Sequence, residues 1–271
     1  MKGLIKVSIG FIGAGNMASA MISGIIKNNI YKKEEIIISD ASNKACDKAK
    51  NELGVGVATS NVDLAKNADI IVLSVKPQHY ESVITQIRDS VSNDKIIITI
   101  APGQTLQRLK DLFKNDKLKI VRTMPNTPAL VGEGITGVCP NENVSSEELD
   151  KVCNIISGFG LCEVVAESMM DAVVSVSGSS PAYVFMFIEA MADAAVRDGI
   201  PRDKAYKFAA QAVLGSAKMV LETGKHPAEL KDMVCSPAGT TIEAVRVLEE
   251  KGLRSSVMEA MKACTDKARS L

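Results

Sequence analysis

The fold is decided by a stretch near the N-terminus, Val7-Ser8-Ile9-Gly10-Phe11-Ile12-Gly13-Ala14-Gly15-Asn16-Met17-Ala18. Its first half is almost continuously apolar, as is typical of a strand buried in a parallel sheet. Its second half has the spacing GxGxxA, in which Gly13 makes a tight turn, Gly15 lets a pyrophosphate approach the backbone and Ala18 keeps helix and strand close. The stretch therefore predicts the first strand and helix of a dinucleotide-binding domain.

The alternation of strand and helix continues along the first half of the chain. Further strands are predicted by apolar runs at 36–39, 69–75, 95–100 and 119–122. Helical patterns separate most of these runs, which predicts a doubly wound parallel sheet. Runs at 134–140 and 162–165 predict two more strands, whose order in the sheet the sequence leaves open. We therefore predict a Rossmann-type domain over residues 1–165.

Residues 166–271 show no further strand pattern and predict an all-α domain. The segment Ser177–Pro181 interrupts the helical pattern, with Ser180 suited to cap the next helix and Pro181 to begin it. Two long helices are predicted after it, at 182–197 and 201–224, and both are apolar on more than one face. Such helices must be deeply buried, so we expect an obligate dimer formed through them.

Residues with useful chemistry stand at the carboxyl ends of the predicted strands: Gly13, Asp40, Lys76, Ala101 and Asn126. In an open parallel sheet these ends share one edge, and ligands bind in the crevice there. We therefore expect these residues to converge, although they are far apart in the sequence. The alternative for each residue is a plain loop position that only ends its strand. The convergence predicts a nicotinamide dinucleotide site.

Asp40 bears on which nicotinamide is bound. An acidic residue after the second strand usually accepts hydrogen bonds from the adenosine ribose hydroxyls, which favours NADH. Ser42, Asn43 and Lys44 follow at once and could hold a 2′-phosphate instead, which would favour NADPH. The sequence leaves the choice between NADPH and NADH open.

A second ligand site is indicated near the C-terminus, by the turn Cys235-Ser236-Pro237-Ala238-Gly239-Thr240-Thr241. A helical pattern follows the turn, and the unpaired N–H groups of a helix start suit a small anion. The alternative is an ordinary helix start, since Thr240 and Glu243 have the spacing of a capping box.

Composition narrows the possible partners. The 271 residues carry 32 Lys+Arg and 32 Asp+Glu, and this formal net charge of zero argues against a nucleic-acid partner. We find no apolar run long enough to span a bilayer and no room for a signal or transit peptide, so we expect a cytoplasmic protein without a membrane partner. The six cysteines form no CxxC pair, so we expect reduced thiols and no metal site.

Five groups of residues together resemble pyrroline-5-carboxylate reductase, and the resemblance covers essentially the whole chain. They are Phe11-Ile12-Gly13-Ala14-Gly15-Asn16-Met17, Val75-Lys76-Pro77, Met124-Pro125-Asn126-Thr127-Pro128, Ser177-Gly178-Ser179-Ser180-Pro181-Ala182-Tyr183, and Leu230-Lys231-Asp232 with Ser236-Pro237-Ala238-Gly239-Thr240-Thr241. The resemblance implies hydride transfer from NAD(P)H to the imine carbon of 1-pyrroline-5-carboxylate, giving L-proline, with NADPH the usual cofactor. It also implies an active site at a dimer interface, in dimers that often assemble into decamers.

The resemblance implies roles for individual residues as well. The turn before the late helix would hold the substrate carboxylate with backbone N–H groups, and Thr241 would be the catalytic residue, hydrogen-bonded to the ring nitrogen. The candidate substrate-binding residues are Ser179, Ser236, Ala238, Gly239 and Thr240. The candidate cofactor-binding residues are Gly13, Ala14, Gly15, Asn16, Met17, Asp40, Asn61, Val75, Lys76, Pro77, Ala101 and Asn126. Ala238 departs from the family, which often has Gly there, and a positive φ at Ala238 would cost roughly 1 kcal/mol.

Two other functions stay open on the sequence. One is a related reductase of another cyclic imine or of a 2-hydroxy acid. Hydroxy-acid members of this architecture use a Lys on the interdomain helix, and the corresponding stretch Ser179-Ser180-Pro181 offers none. The other is a dinucleotide-binding sensor without catalysis, against which the complete substrate turn argues.

Overall fold

A computed structural model describes residues 8–270 of the chain. The described residues form two compact units. The first holds the residues up to Ser179 together with those from Cys264 onward, and the second is Ser180–Ala263. Each unit is built from a different class of element, strands with helices in the first and helices in the second.

The strands are β1 (Ile9–Ile12), β2 (Ile36–Ser39), β3 (Gly56–Val57), β4 (Ile70–Leu73), β5 (Ile96–Thr99), β6 (Lys119–Met124), β7 (Gly134–Pro140) and β8 (Gly160–Val164). The helices of the first unit are α1 (Asn16–Lys27), α2 (Asn43–Leu53), α3 (Asn61–Asn67), α4 (Tyr80–Ile87), α5 (Leu106–Phe113), α6 (Ser146–Ser157) and α7 (Met170–Val173), followed by a π-helix (Val174–Gly178). The second unit holds α8 (Ser180–Arg197), α9 (Arg202–Thr223), α10 (Pro227–Val234), α11 (Thr240–Glu250) and most of α12 (Leu253–Arg269).

Within the described residues the strands form one sheet, in the order β3-β2-β1-β4-β5-β6-β7-β8. The strands β1 to β6 pair in parallel, which confirms the predicted doubly wound Rossmann-type fold. The strand β7 differs, because it runs antiparallel to β6 with Met124 opposite Gly137. Residues 125–133 join these two strands, and this connection is too short for a parallel crossover, which needs about a dozen residues. The helix α6 then provides a crossover, so β8 is parallel to β7.

Both faces of the sheet are covered, which is why its strands are continuous apolar runs in the sequence. Successive side chains of a strand point to opposite faces. In β4, Ile70 and Val72 pack into the hydrophobic core on one face, and Ile71 and Leu73 pack into the core on the other. Because both faces of the strands are packed in this way, the strands are held in register, and the loops that follow them meet at one edge of the sheet.

The structure contains a helix, α2, that the sequence did not indicate. Ser42 is its N-cap, and the Ser42 Oγ accepts a hydrogen bond from the backbone N–H of Ala45 at 3.3 Å. Residues 42–44 therefore begin a helix rather than an irregular loop. The helix was missed because only Cys46 and Ala49 of α2 are buried, which leaves a narrow apolar stripe. The two-residue strand β3 was also missed.

The first unit extends past the predicted domain boundary between residues 165 and 166. Glu167 and Asp171 pair with the buried guanidinium of Arg122 on β6, at 3.1 and 3.6 Å. These ion pairs attach the segment that follows β8 to the sheet. The predicted break at Ser177–Pro181 lies where the π-helix ends at Gly178 and α8 begins at Ser180.

The helical stretch Glu167–Arg197 is long and apolar enough, by length and composition, to cross a membrane. The prediction that no such stretch exists is therefore wrong, because helical structure continues through the predicted break. An 18-residue window of the stretch has a mean hydropathy of 1.2, and 17 % of that window is buried in the described chain. The same composition suits a helix that packs against another subunit.

In the second unit, α8 and α9 pack against each other. Both helices also carry large apolar side chains that are exposed, among them Phe185, Met186, Phe187, Phe208, Leu214 and Leu221. Exposed apolar surface of this extent is typical of an interaction site. The surface is where the sequence predicts the dimer contact.

Candidate functional site

The glycine loop after β1 has the geometry that a dinucleotide requires. Gly13 has a φ of 103°, and a Cβ there would lie 2.6 Å from the backbone oxygen of Ser74. Ser74 closes the turn from the other side, since its Oγ donates to the oxygen of Gly13 at 2.7 Å. Among residues 8–270, no atom lies within 4 Å of a Cβ built on Gly15, and no side chain caps α1. The start of α1 therefore offers open space to a pyrophosphate. The free N–H groups that would bind it belong to Asn16 and Met17, the first residues of the helix.

The parallel register brings the predicted strand ends to one edge. Ile12 lies opposite Ser39 and Leu73, the last residues of β2 and β4. Leu73 lies opposite Thr99, the last residue of β5. The loops that begin at Gly13, Asp40, Ser74 and Ile100 are therefore neighbours, as predicted.

Asp40 lies immediately after β2 and bonds to two loops at once. Its Oδ2 accepts a hydrogen bond from the backbone N–H of Ala14 at 2.8 Å, and its Oδ1 accepts one from the N–H of Ser42 at 2.8 Å. The side chain is half-buried. The carboxylate thus joins the glycine loop to the start of α2.

Asn61, a further candidate for the cofactor site, is the first residue of α3. The Ser39 Oγ donates to Asn61 Oδ1 at 2.8 Å, and Asn61 Nδ2 donates to Gln86 Oε1 at 3.0 Å. The Asn61 side chain is therefore held beside the end of β2, next to the loop of Asp40. This position agrees with a place on the adenosine side of the cofactor site.

The loops after β4 and β5 contain the candidates Val75, Lys76, Pro77 and Ala101. Lys76 is exposed and precedes a 3-10 turn that begins at Pro77, and Ala101 is buried. A residue that the sequence did not single out, Tyr80, ties these loops together. Its hydroxyl donates to the oxygen of Leu73 at 2.7 Å and accepts from the N–H of Ile100 at 3.4 Å. Burial raises the pKa of Tyr80 well above its usual range, so the hydroxyl stays protonated as a donor.

Asn126 lies at the predicted edge but uses both ends of its amide inside the protein. Its Nδ2 donates to the oxygen of Ser177 at 3.1 Å, and its Oδ1 accepts from the N–H of Ile135 at 3.0 Å. The side chain is 7 % exposed. The structure therefore gives Asn126 a structural role in joining the end of β6 to β7 and the π-helix. The predicted contact with the cofactor would have to use the second N–H of Asn126 Nδ2 or the second lone pair of its Oδ1.

The loop after β5 is held by an ion pair that the sequence analysis missed. Oε1 of Glu167 accepts from Nη1 of Arg122 at 3.1 Å and from the backbone N–H of Leu106 at 2.7 Å. The side chain of Arg122 is only 4 % exposed. A signal was present in the sequence, since an arginine inside an apolar strand needs an acidic partner. The partner itself lies 45 residues away and could not be identified from spacing.

Ser179, a candidate substrate-binding residue, directly follows the π-helix. Its N–H donates to the oxygen of Val174 at 2.8 Å, and its Oγ accepts from the thiol of Cys264 at 3.1 Å. π-Helical turns are frequent at functional sites. The sequence indicated only a helix break here.

The candidate substrate turn lies in the second unit, between α10 and α11. The N–H of Gly239 donates to the oxygen of Ser236 at 3.0 Å, which closes the turn. Ala238 has a φ of 57°, the left-handed conformation on which the predicted strain depends. A Cβ at Gly239 would lie 2.4 Å from Ser236 Oγ, so a larger residue there would displace that side chain.

The predicted capping box at this turn is wrong. The N-cap of α11 is Gly239, with Thr240 and Thr241 as the first helical residues, and no described side chain caps the helix. Glu243 pairs instead with Arg246 at 3.1 Å. Because α11 begins at Thr240, this residue lies one position after the N-cap, and its hydroxyl does not cap the N–H groups of the first helical turn. The N–H groups at the start of α11 are therefore free of side-chain partners and suit a carboxylate.

In the described part of the chain, no group of three or more His, Cys, Asp or Glu side chains is placed to hold a metal ion. The starts of α1 and α11 both lack a side-chain cap among the described residues, so their N–H groups suit anions. Each lies in a different compact unit.

Two family models match the chain. NADP oxidoreductase coenzyme F420-dependent matches residues 8–103, and Pyrroline-5-carboxylate reductase dimerisation matches residues 167–271. The solved pyrroline-5-carboxylate reductase of Coxiella burnetii has a TM-score of 0.90 at 35 % identity, covering 98 % of both chains. Plasmodium falciparum pyrroline carboxylate reductase, solved with NADP bound, has a TM-score of 0.89 at 35 % identity, covering 99 % of both chains.

The pyrroline-5-carboxylate reductase of Escherichia coli (strain K12) is 53 % identical over 267 residues, which cover 98 % of this chain and 99 % of that relative. Identity at this level over the full length of both chains, together with the folded glycine loop and the turn before α11, places this protein in the pyrroline-5-carboxylate reductase family.

Proposed function

We propose that this protein reduces 1-pyrroline-5-carboxylate to L-proline with a hydride from NADPH or NADH, the last step of proline biosynthesis. Its family membership supports this function. The structural observation that carries the proposal is the turn before α11. There, the N–H groups of a helix start have no side-chain cap among the described residues, which suits the carboxylate of the substrate.

The reaction asks little of the side chains, because an imine accepts a hydride readily, above all when its nitrogen is protonated. When bound, the dihydronicotinamide would supply the hydride to the imine carbon, and the ring nitrogen would take a proton from solvent. We assign the substrate carboxylate to the N–H groups of Thr240 and Thr241, with Ser236, Ala238 and Gly239 shaping the turn. We assign the hydroxyl of Thr241 to the ring nitrogen as a hydrogen-bond donor. Positioning alone can supply about 7–11 kcal/mol of the barrier reduction.

We assign the cofactor to the edge of the sheet in the first unit. The open space at Gly15 and the uncapped start of α1 fit a pyrophosphate. Asp40 and Asn61 lie on the loops that would hold the adenosine ribose. The loops after β4 and β5, held by Tyr80, would line the nicotinamide half.

The match to the dimerisation model supports self-association of the chain. We propose that the exposed apolar side chains of α8 and α9 form the contact, because their burial in a dimer would remove them from water. Assembly to a decamer and location in the cytoplasm stay predictions. Sedimentation of the purified protein measures the first.

A spectrophotometric assay tests the function. The purified protein is mixed with NADPH or with NADH, and nicotinamide absorbance is followed after 1-pyrroline-5-carboxylate is added. Oxidation of either cofactor with formation of proline is expected. A panel of 2-oxo acids, assayed in the same way, tests the hydroxy-acid alternative. Absence of oxidation with 1-pyrroline-5-carboxylate under both cofactors would contradict the proposal, and binding of cofactor without turnover would indicate the non-catalytic sensor.

A further inference from the structure

The carboxylate of Asp40 occupies an anion-binding position of its own. Each of its oxygens accepts a backbone N–H at 2.8 Å, one from Ala14 in the glycine loop and one from Ser42 before α2. Two N–H donors, one from the glycine loop and one from the loop after β2, thus converge on one negative group. Such convergent backbone donors are the usual way in which proteins hold phosphate.

The start of α2 would otherwise be the natural seat for the 2′-phosphate of NADPH. The loop after the second strand is where the adenosine ribose lies in this architecture. The Ser42 Oγ accepts the N–H of Ala45 at 3.3 Å as the helix cap, which leaves its O–H as the one polar group of this residue that could face a phosphate. The N–H of Ser42 is committed to Asp40. A phosphate at this place would therefore meet a carboxylate of the same charge.

One lysine on α2, Lys44, is the observation that most favours NADPH. Lys44 is the second residue of the helix, and its exposed side chain is long enough to approach a phosphate. A single exposed, hydrated ammonium offsets little of the repulsion from a carboxylate that is fixed in place by two hydrogen bonds. The balance therefore favours a ribose with free hydroxyls.

We propose that Asp40 is a specificity-determining residue that makes this enzyme select NADH over NADPH. The carboxylate stands where the 2′-phosphate would bind, and its remaining lone pairs accept the ribose hydroxyls. This inference rests on the proposed function only for the binding of a nicotinamide cofactor. It sets the chain apart from the Plasmodium falciparum relative, which was solved with NADP bound.

Binding measurements without substrate test the inference. The dissociation constants of NADH and NADPH are measured by calorimetry on the unmodified protein and on Asp40→Asn, which removes the charge but keeps one carbonyl acceptor. The matched control is Asp47→Asn, which removes the same charge from an exposed position on α2. Competition by 5′-AMP and by 2′,5′-ADP isolates the adenosine half, because these two ligands differ only in the 2′-phosphate.

The unmodified protein should bind NADH at least about tenfold more tightly than NADPH, since a like charge within hydrogen-bonding reach opposes the phosphate on this scale. Asp40→Asn should close most of that gap by binding NADPH more tightly, and Asp47→Asn should leave the ratio within about twofold of the unmodified protein. In Asp40→Asn, the affinity for 2′,5′-ADP should likewise rise relative to the affinity for 5′-AMP.

Equal or tighter binding of NADPH by the unmodified protein would overturn the inference, whether or not Asp40→Asn folds. An unchanged ratio in a folded Asp40→Asn protein would overturn it as well. Either result, in a protein that still reduces 1-pyrroline-5-carboxylate, leaves the proposed function standing. Binding of neither cofactor would overturn the inference and the proposed function together.

Discussion

The thiol of Cys264 lies 3.1 Å from the hydroxyl oxygen of Ser179 and donates a hydrogen bond to it. One residue further on, Oγ1 of Thr265 donates to Oγ of Ser175 at 2.9 Å. Ser175 lies in the π-helix and Ser179 directly follows it, and both donors lie in the last turns of α12. The C-terminal end of the chain therefore holds the π-helix in place, and with it the candidate substrate-binding Ser179.

Replacement of Cys264 by Ala should raise the KM for 1-pyrroline-5-carboxylate by about 2- to 10-fold, because Ser179 loses the bond that orients its hydroxyl. The dissociation constant of the cofactor should not change. Steady-state kinetics and cofactor titration measure the two effects. Cys264→Ser keeps a donor and should restore most of the KM. An equal loss in Ala and Ser variants would show that packing, rather than the hydrogen bond, is what matters.

Thr241→Ala should lower kcat by about 100-fold, as expected for loss of a group that assists proton transfer. The free energy of unfolding should change by less than about 0.5 kcal/mol, because Thr241 is not the cap of α11. Kinetics and urea unfolding measure the two quantities. Thr223→Ala, at an exposed position in the same unit, is the control and should leave kcat unchanged. Comparable losses of activity and stability in Thr241→Ala would contradict the assigned role.

Ala238→Gly should leave stability unchanged or raise it by up to about 1 kcal/mol. Glycine removes the cost of the left-handed φ of 57° and adds entropy to the unfolded chain, and these effects partly cancel. Urea unfolding measures the difference. Ala244→Gly, inside α11 at an exposed position, should lower stability by about 1 kcal/mol. A similar loss at both positions would mean that the turn does not strain Ala238.

Tyr80→Phe should lower the free energy of unfolding by about 1–3 kcal/mol, because the buried oxygen of Leu73 loses its donor. The affinity for the nicotinamide cofactor should fall as well, since the same hydroxyl ties the loops after β4 and β5. Tyr206→Phe is the control, because Tyr206 is 42 % exposed, and it should change stability by less than about 0.5 kcal/mol. A neutral Tyr80→Phe would show that water replaces the hydroxyl.

The pair Lys119–Glu148 should make stability depend on pH in the acid range. Burial raises the pKa of Glu148, but the Lys119 ammonium and the N–H of Ser145 outweigh it and hold the pKa below its usual 4.5. A carboxyl with a lowered pKa in the folded state stabilises the protein above pH 4.5, and this contribution is lost as the pH falls through the lowered value.

Lys119→Met should therefore reduce the free energy of unfolding near neutral pH by less than about 1 kcal/mol and flatten its decline in acid. Urea unfolding across this pH range measures both. Lys117→Met, at an exposed position nearby, should keep the slope of the unmodified protein. An unchanged slope in Lys119→Met would argue against the pair.

Much of the fold could be predicted from the sequence, because its strands and glycine turn are marked by local pattern. The ranges predicted for β2 and β7 agree with the structure, Ile36–Ser39 and Gly134–Pro140. The antiparallel direction of β7, the helix α2 and the π-helix could not be predicted. The direction of β7 depends on which strand it pairs with, α2 has a narrow apolar stripe, and the π-helix needs contacts from the far end of the chain.

The candidate sites were located from the sequence only in outline. The uncapped starts of α1 and α11 follow from glycine and turn residues whose backbone preferences are local. The predicted capping box was wrong because N-cap identity depends on the path by which the chain enters the helix, and here that path is set by the left-handed Ala238.

By itself, the sequence determined the class of fold, the order of most elements and the two turns at which ligands are expected. These depend on the apolar period and on glycine, and both act over a few residues. Only the tertiary structure decided that the Asp40 carboxylate binds the N–H of Ala14, that Tyr80 joins two strand ends and that Cys264 meets Ser179. Such polar pairs form between segments distant in the sequence, and their partners are selected by packing of the apolar core around them, which no local pattern records.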